Sequence, residues 1–391
     1  MATTGATERR YGLDWLRIGA FGLLIVYHIG MFFVPWDWHT KTAEPLEWLE
    51  LPMLSINPWR LSLLFLISGV ASRVLLAKSD AGGFTRSRSR RLLIPLLAGM
   101  VLFVAPQPWA ELSEKAGYSG GFAYFWLHDY FEFGASTGLI LPTYNHLWFV
   151  AYLWLYTMLL ALAALAPAAW RAKAQAAFDR CFGGWRLLVL PVLTLWLLRA
   201  TLFPVFGETH ILFNDLYGHL GYGFAFFFGV GLARSDGLWR QLTQGWRSAA
   251  LLGIGGYALI VFFYLTTPGD ASELQTLVAR LARSVQAWGI ILALLGLAQR
   301  HLHHDSPARR YLTDAIFPYY IAHQTIIVLV GHALKTHGLG AGTEFAIILA
   351  ATVIGCAATY ELARRVGWLR PLFGPRALAK RDSDGKAFAP A

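Results

Sequence analysis

Ten stretches of the chain are apolar over most of their length, and polar, mostly basic segments separate them. They cover residues 13–34, 59–77, 92–109, 146–166, 187–203, 217–233, 249–267, 284–298, 313–334 and 344–362. A helix needs about 20 apolar residues to cross a hydrocarbon core. The pattern therefore predicts an all-α polytopic membrane protein of about ten transmembrane helices. The third stretch carries Pro95, Pro106 and Pro108, which predicts an irregular end. The eighth is short. Between the third and fourth, residues 110–145 hold Phe122, Tyr124, Phe125, Trp126, Tyr130 and Phe131, expected as an amphipathic or re-entrant cover. Residues 1–372 are expected to form one membrane domain. Residues 373–391, polar and basic, would be a flexible cytoplasmic tail.

The charges test this count. With the N-terminus placed inside and strict alternation, the inside segments collect 24 of the 33 Lys and Arg residues and the outside segments 5. Arg17, Arg60, Arg73 and Arg199 fall within or at the ends of spans. Cytoplasmic loops carry the Lys/Arg excess in membrane proteins, so both termini are expected to be cytoplasmic. The net charge of +10 is then a topology signal and not a nucleic-acid footprint. Composition agrees, with 56% hydrophobic and only 14% charged residues, against roughly 25% charged in soluble domains. The first apolar run is too long for a signal peptide and lacks a small-residue cleavage site, so it should remain as the first span. Cys181 and Cys356 make no disulfide framework. No internal repeat of the transporter kind is visible.

Ionisable groups inside such spans are costly and mark function by default. His28 is the deepest in the first span, with Asp14 and Arg17 near its start. Arg17 and His28 are eleven positions apart, so they share one helix face with a rise of about 16 Å between them. Asp14 cannot reach His28 on a regular helix. The pattern suggests a two-level site, with Asp14 and Arg17 as a polar entrance and His28 deeper. The plainer reading is that Asp14 and Arg17 are interface residues and His28 a satisfied structural histidine. Imidazole titrates near neutrality and suits proton transfer.

Arg60 and Arg73 flank the second span, around Ser68-Gly69. They read either as site cations, Arg60 toward a substrate and Arg73 toward a donor, or as snorkelling ends beside a small-residue packing motif. The run Arg86-Ser-Arg88-Ser-Arg90-Arg91 is the densest basic segment and suits a polyanion as well as topology. His146, two residues before Trp148, opens the fourth span, and His323 lies within the ninth. His301, His303 and His304 read as a solvated loop, and no metal is expected. No phosphate-binding glycine loop, Gly-x-Ser-x-Gly or zinc spacing is present.

Several of these residues form a familiar series. Leu13-Asp14-Trp-Leu-Arg17 followed by His28, Phe65-Leu-Ile-Ser-Gly69, Arg88-Ser-Arg-Arg91, His146-Leu-Trp-Phe149 and Tyr320-Ile-Ala-His323 occur in order. Together they resemble the acyltransferase 3 family of membrane O-acyltransferases. The stretch Trp38-His39, Ala43-Glu44-Pro45 and Trp48-Leu49 is similar to its glucan-biosynthesis, succinyltransferase-like branch. Gln324 departs from the pattern, because related chains often carry a second histidine there.

The resemblance implies a multi-pass enzyme of the bacterial inner membrane. It would move an acyl group, succinyl or acetyl, from cytoplasmic acyl-CoA to a hydroxyl of a periplasmic or surface glycan. His28 would be catalytic, supported by Asp14 and Arg17. Arg88, Arg91 and Arg73 would serve the acyl-CoA. His146, Arg60, Trp148 and His323 would face the acceptor. Acyl-CoA would be a co-substrate, with no cofactor bound permanently, and the bilayer and the glycan would be the partners. The sequence leaves open the donor, the acceptor, a covalent acyl-histidine and the oligomeric state. A transporter or flippase of envelope polysaccharide precursors is the competing expectation, and a non-catalytic assembly subunit is the third.

Overall fold

The protein is described by a computed structural model covering residues 10–132, 139–267, 269 and 271–374. Residue Arg9, the stretch 133–138 of the expected cover and the basic tail beyond Gly374 lie outside the described residues. The described chain is helical: α1 (Tyr11–Phe33), α2 (Glu50–Ile56), α3 (Arg60–Leu76), α4 (Ala81–Gly99), α5 (Pro106–Lys115), α6 (Phe122–Leu127), α7 (Trp148–Ala163), α8 (Ala168–Cys181), α9 (Arg186–Thr201), α10 (Phe203–Phe206), α11 (Leu216–Leu232), α12 (Asp236–Thr266), α13 (Glu273–His301), α14 (Pro307–Leu334), α15 (Ala341–Arg365) and α16 (Arg370–Phe373).

Each of the ten apolar stretches falls on a helix. Among the described residues, eight helical segments are long and apolar enough to cross a membrane: Tyr11–Phe33, Glu47–Leu76, Ala81–Lys115, Asn145–Ala163, Arg186–Phe206, Asp236–Thr266, Glu273–His301 and Ala341–Arg365. The chain is a multi-pass membrane protein. Helix α11 is apolar but shorter. Helix α14 has the length, with 28 residues, but Arg309, Arg310, Asp314, His323 and Gln324 interrupt its apolar character. The seventh and eighth stretches are much longer as helices than their apolar cores, at 31 and 29 residues. Polar turns at their ends continue the helix after the hydropathy signal stops. At the start of α13, Ser272 and Gln275 form a reciprocal capping box that fixes this extension.

The chain divides into two compact units. The first comprises the described residues within 1–20, 54–86 and 155–310; the second, those within 21–53, 87–154 and 311–391. Helices α1, α2, α4, α7 and α14 contribute a segment to each.

In the first unit α3 packs on α11, α12 on α13, and α13 on α9. The α3–α11 crossing is backbone against backbone. A Cβ on Gly69 would meet the carbonyl oxygen of Phe226 at 1.9 Å, and one on Gly229 would meet that of Leu66 at 2.0 Å. Ser68-Gly69 thus serves helix packing, the small-residue mode that lets membrane helices approach closely. Asp215 caps α11 by accepting from the amide of Gly218 at 2.9 Å. Buried Trp288 donates its indole N–H to the Leu187 carbonyl at 2.9 Å.

In the second unit the expected irregularity after α4 is a π turn, Met100–Val104, before α5 restarts at Pro106. Widened turns and prolines strip carbonyls of their helical partners. Side chains take up these oxygens. Tyr130 donates to Met100 at 2.9 Å, Trp126 to Val101 at 2.9 Å, and Thr325 to Phe103. The aromatic cover is therefore tied to the kink, and its Phe125 and Tyr130 are buried with Ala105 and Leu112.

Candidate active site

The polar core of the second unit is built from four helices. Helix α1 brings His28, α5 brings Gln107 and Glu111, the turn entering α7 brings Asn145 and His146, and α14 brings Tyr320, His323, Gln324 and Thr325. His28 Nδ1 lies 2.8 Å from His323 Nε2, and His323 Nδ1 lies 2.7 Å from the Tyr320 carbonyl oxygen. A carbonyl only accepts, so His323 Nδ1 carries the proton and donates it. Neutral His323 then presents Nε2 as an acceptor, and His28 Nδ1–H must be the donor to it. These tautomers, assigned from the partners, place the basic lone pair of neutral His28 on Nε2. His28 is half-buried, whereas His323 is fully buried.

A second chain of bonds surrounds this pair. His146 Nε2–H donates to the carbonyls of Tyr320 and Ile321 at 3.1 and 3.2 Å. Its Nδ1 accepts from Gln107 Nε2 at 3.3 Å. The Tyr320 hydroxyl returns a bond to the His146 carbonyl. Gln107 also donates to Thr325 Oγ1 at 2.8 Å and accepts from Asn145 and Gln324, both at 3.1 Å. Gln324 reaches His39 Nε2 at 3.1 Å, and His39 Nδ1–H donates to Glu111 at 2.5 Å. Gln107 therefore has both ends of its amide engaged while fully buried. A network this complete holds its members rigid, because losing one partner leaves another polar group unsatisfied without water.

Charged groups cluster beyond the network. Glu111 is shared by Lys115, which also meets Asp37 at 2.7 Å. Glu114 takes Thr40 at 2.5 Å and Lys335 at 3.2 Å. Lys41 caps the end of α1 through the carbonyls of Met31, at 2.6 Å, and Val34. Burial of its ammonium pulls the Lys41 pKa down to about 8, against the pull of Asp37 and with a push from Lys115.

The remaining expected residues sit elsewhere. Trp148 is buried and stacks edge-on with Tyr152. Arg88, half-buried, and Arg91, exposed, are one turn apart on α4. Asp14, Arg17, Arg60 and Arg73 belong to the first unit. There Asp14 is paired with buried Arg309, which also meets Asp305 at 2.7 Å. Hydrogen bonds from Arg310 and Arg309 hold the Asp305 carboxyl well below the usual carboxylate range. Arg60 is buried at the start of α3, with Nη1 3.5 Å from the Asn57 carbonyl. The three loop histidines take separate neighbours: His303 the Arg300 carbonyl, His304 the Trp15 ring, and His301 the Trp246 ring.

Sequence reasoning found the three central histidines but missed Gln107, Glu111 and Arg309. Gln107 has a signal in retrospect, a buried amide wedged between two prolines where the helix is interrupted.

The acyltransferase domain family matches residues 10–361, nearly the whole described chain. The chain belongs to this family. It is a membrane O-acyltransferase, as the ordered motifs suggested. Similar proteins include the glucans biosynthesis protein C of Escherichia coli strain SMS-3-5 / SECEC and of strain E24377A / ETEC (O139:H28). Each is 24% identical over 399 residues, covering 96% of this chain and 97% of the relative. No solved structure matches.

Proposed function

We propose that this acyltransferase moves a succinyl or acetyl group from cytoplasmic acyl-CoA to a hydroxyl of a periplasmic or surface glycan, with His28 as the general base. The protein would lie in a bacterial inner membrane with ten spans and both ends inside, as the Lys/Arg asymmetry indicates. The hydrogen bond from His28 to His323 carries this reading. It fixes the imidazole in the tautomer a base needs, in the role an orienting partner plays at other histidine bases. The glycan acceptor is supported by relatives whose name places them in glucan biosynthesis.

In the step, the acceptor O–H gives its proton to His28 Nε2 while the oxygen attacks the thioester carbonyl. The tetrahedral intermediate collapses, the carbon–sulfur bond breaks, and the coenzyme thiolate leaves. The His28 imidazolium then gives up its proton to that thiolate. His323 stabilises the imidazolium by accepting from Nδ1. His146 and Trp148 are assigned to the acceptor side with His323, and Arg60 is assigned to the acceptor separately, within the first unit. Arg88 and Arg91 would hold the donor's phosphates as a two-armed clamp, and Arg73 is assigned to the donor separately, within the first unit. Asp14 and Arg17 support the donor's route along α1. Asp14 does so as a positioning group, since Arg309 already neutralises it.

The test is thioester consumption and label transfer from acetyl-CoA and succinyl-CoA in proteoliposomes containing a glucan acceptor. Transfer lost in His28→Ala, with helical content and thermal unfolding unchanged, is the expected result. Transfer unchanged in that variant would overturn the assignment and favour a transporter.

A further inference from the structure

A cavity in the first unit, sharing no residue with the histidine network, is lined by polar and aromatic groups from five segments. They include Arg199 near the end of α9, Glu208 in the loop before α11, Tyr217 and Tyr222 on α11, Asn57 before α3 and Arg283 on α13. By the Lys/Arg asymmetry these are the segment ends that face outside.

Arg199 is anchored and aimed without a carboxylate. The Tyr217 hydroxyl lies 3.1 Å from its Nη1, and its guanidinium carbon sits 4.5 Å from the centre of the Phe203 ring. Among the described residues it makes no ion pair. A guanidinium fixed in this way keeps a planar fork of donors for a two-oxygen anion, with little ordering left to do on binding. The nearby carboxylate is committed differently. Glu208 Oε1 receives both the Tyr222 hydroxyl and His210 Nε2, the latter at 3.1 Å. Its pKa is about 2: burial would raise it, but the bonds from His210 and Tyr222 and the field of Arg199 prevail. Both bonds fall on Oε1, so Oε2 is the acceptor a ligand hydroxyl would use. The loop is held in a costly shape to achieve this. His210 has φ of 57°, a region side chains disfavour, and Asp215 Oδ2 fixes its amide at 3.0 Å.

Tyrosine rings beside an ionised carboxylate, an amide and two arginines make a surface for a polyol that also carries an acid. A neutral sugar would need the rings, Glu208 and Asn57 but not Arg199. A bare anion would need the arginines but would meet Glu208 at a penalty. We infer that this cavity is a carbohydrate subsite that takes a sugar residue bearing a carboxylate or phosphate, on the acceptor side of the enzyme. This inference rests on the reading that the acceptor is a glycan.

The test is binding to the full chain in nanodiscs with no acyl donor present. Saturation-transfer NMR would compare glucose 6-phosphate, glucuronate and glucose, with inorganic phosphate as competitor. The acidic sugars should bind at least tenfold more tightly than glucose, and Arg199→Gln should remove that preference. His28→Ala should leave it intact. Tyr217→Phe, which frees the guanidinium without removing charge, should weaken the acidic sugars about threefold and covers the case in which Arg199→Gln does not fold. Equal binding of glucose and glucose 6-phosphate would overturn the inference. So would an unchanged preference in the folded variants, or inorganic phosphate displacing the acidic sugars at equal concentration. Because this binding needs no donor, acyl transfer left unchanged by His28→Ala while this preference holds would count against His28 alone.

Discussion

Helices α1 and α14 meet once in each unit, and the two meetings use different chemistry. In the first unit the pair is Asp14 with Arg309; in the second it is His28 with His323. Both pairs are 295 positions apart in the chain. The ionic pair is closed: Arg309 is buried, and a second carboxylate, Asp305, which Arg310 also meets, holds it from the other side. Its charges favour staying where they are. The imidazole pair holds no carboxylate, and in the proposed mechanism a proton enters at His28 and is stabilised across the bond to His323. The contrast teaches that a buried charge in a membrane helix does not by itself mark the reacting group. What marks it is whether its partners leave a proton free to move.

Four changes would break or sharpen this contrast. The largest effect is expected from His28→Ala, which removes the proposed base and should lower acyl transfer by roughly 10²–10⁴-fold, measured in proteoliposomes with thermal unfolding unchanged. Arg309→Met should do the reverse. It leaves Asp14 without this ionic partner and should cost about 2–3 kcal/mol of stability, below the figure for fully buried pairs because Asp14 and Asp305 are 20% and 26% exposed. Its transfer per folded molecule should stay within a few fold of the parent.

His323→Ala is the intermediate case. The proposed base remains but this bond no longer fixes its tautomer, and a loss of about 10–100-fold is expected, the scale seen when a metal-bound histidine loses its orienting partner. A drop in kcat with little change in KM would identify an effect on the base, and His323→Asn, which keeps an acceptor, should recover part of it.

The smallest effect concerns Glu208, in the first unit's cavity. Its carboxyl falls from an ordinary 4.5 to about 2 on folding. A depressed carboxyl stabilises the fold above its unfolded pKa, and that contribution is lost as pH falls from about 4.5 toward 2. Unfolding scans across that window should therefore show a shallower decline for Glu208→Gln than for the parent chain. Parallel curves would show that the carboxylate is not held as described.

How much of this was legible before the fold was known follows from the range of each signal. Hydropathy is local, so each of the ten apolar stretches lies on a helix, and the prolines marked the break at Met100–Val104. It did not show α8, whose fourteen residues lie in a basic connection, nor the polar turns that lengthen α12 and α13. His28, His146 and His323 stood out because imidazoles are rare in such company. Helical phase separated Asp14 from His28, but no local signal could supply Arg309. Gln107 and Glu111 were invisible for a related reason: they act as partners of His146 and His39 across 39 and 72 positions, and pairing at that distance leaves no periodicity. Gln324, which looked like a departure from the family pattern, joins Gln107 to His39.

The most direct measurement is acyl transfer from labelled acyl-CoA to glucan by His28→Ala and Asp14→Asn side by side, each normalised to folded protein. His28→Ala should lose at least a hundredfold, while Asp14→Asn, a positioning variant, should retain transfer within about tenfold of the parent. Full activity in His28→Ala, or an equal collapse in both, would contradict the assignment of the reacting proton to the imidazole pair.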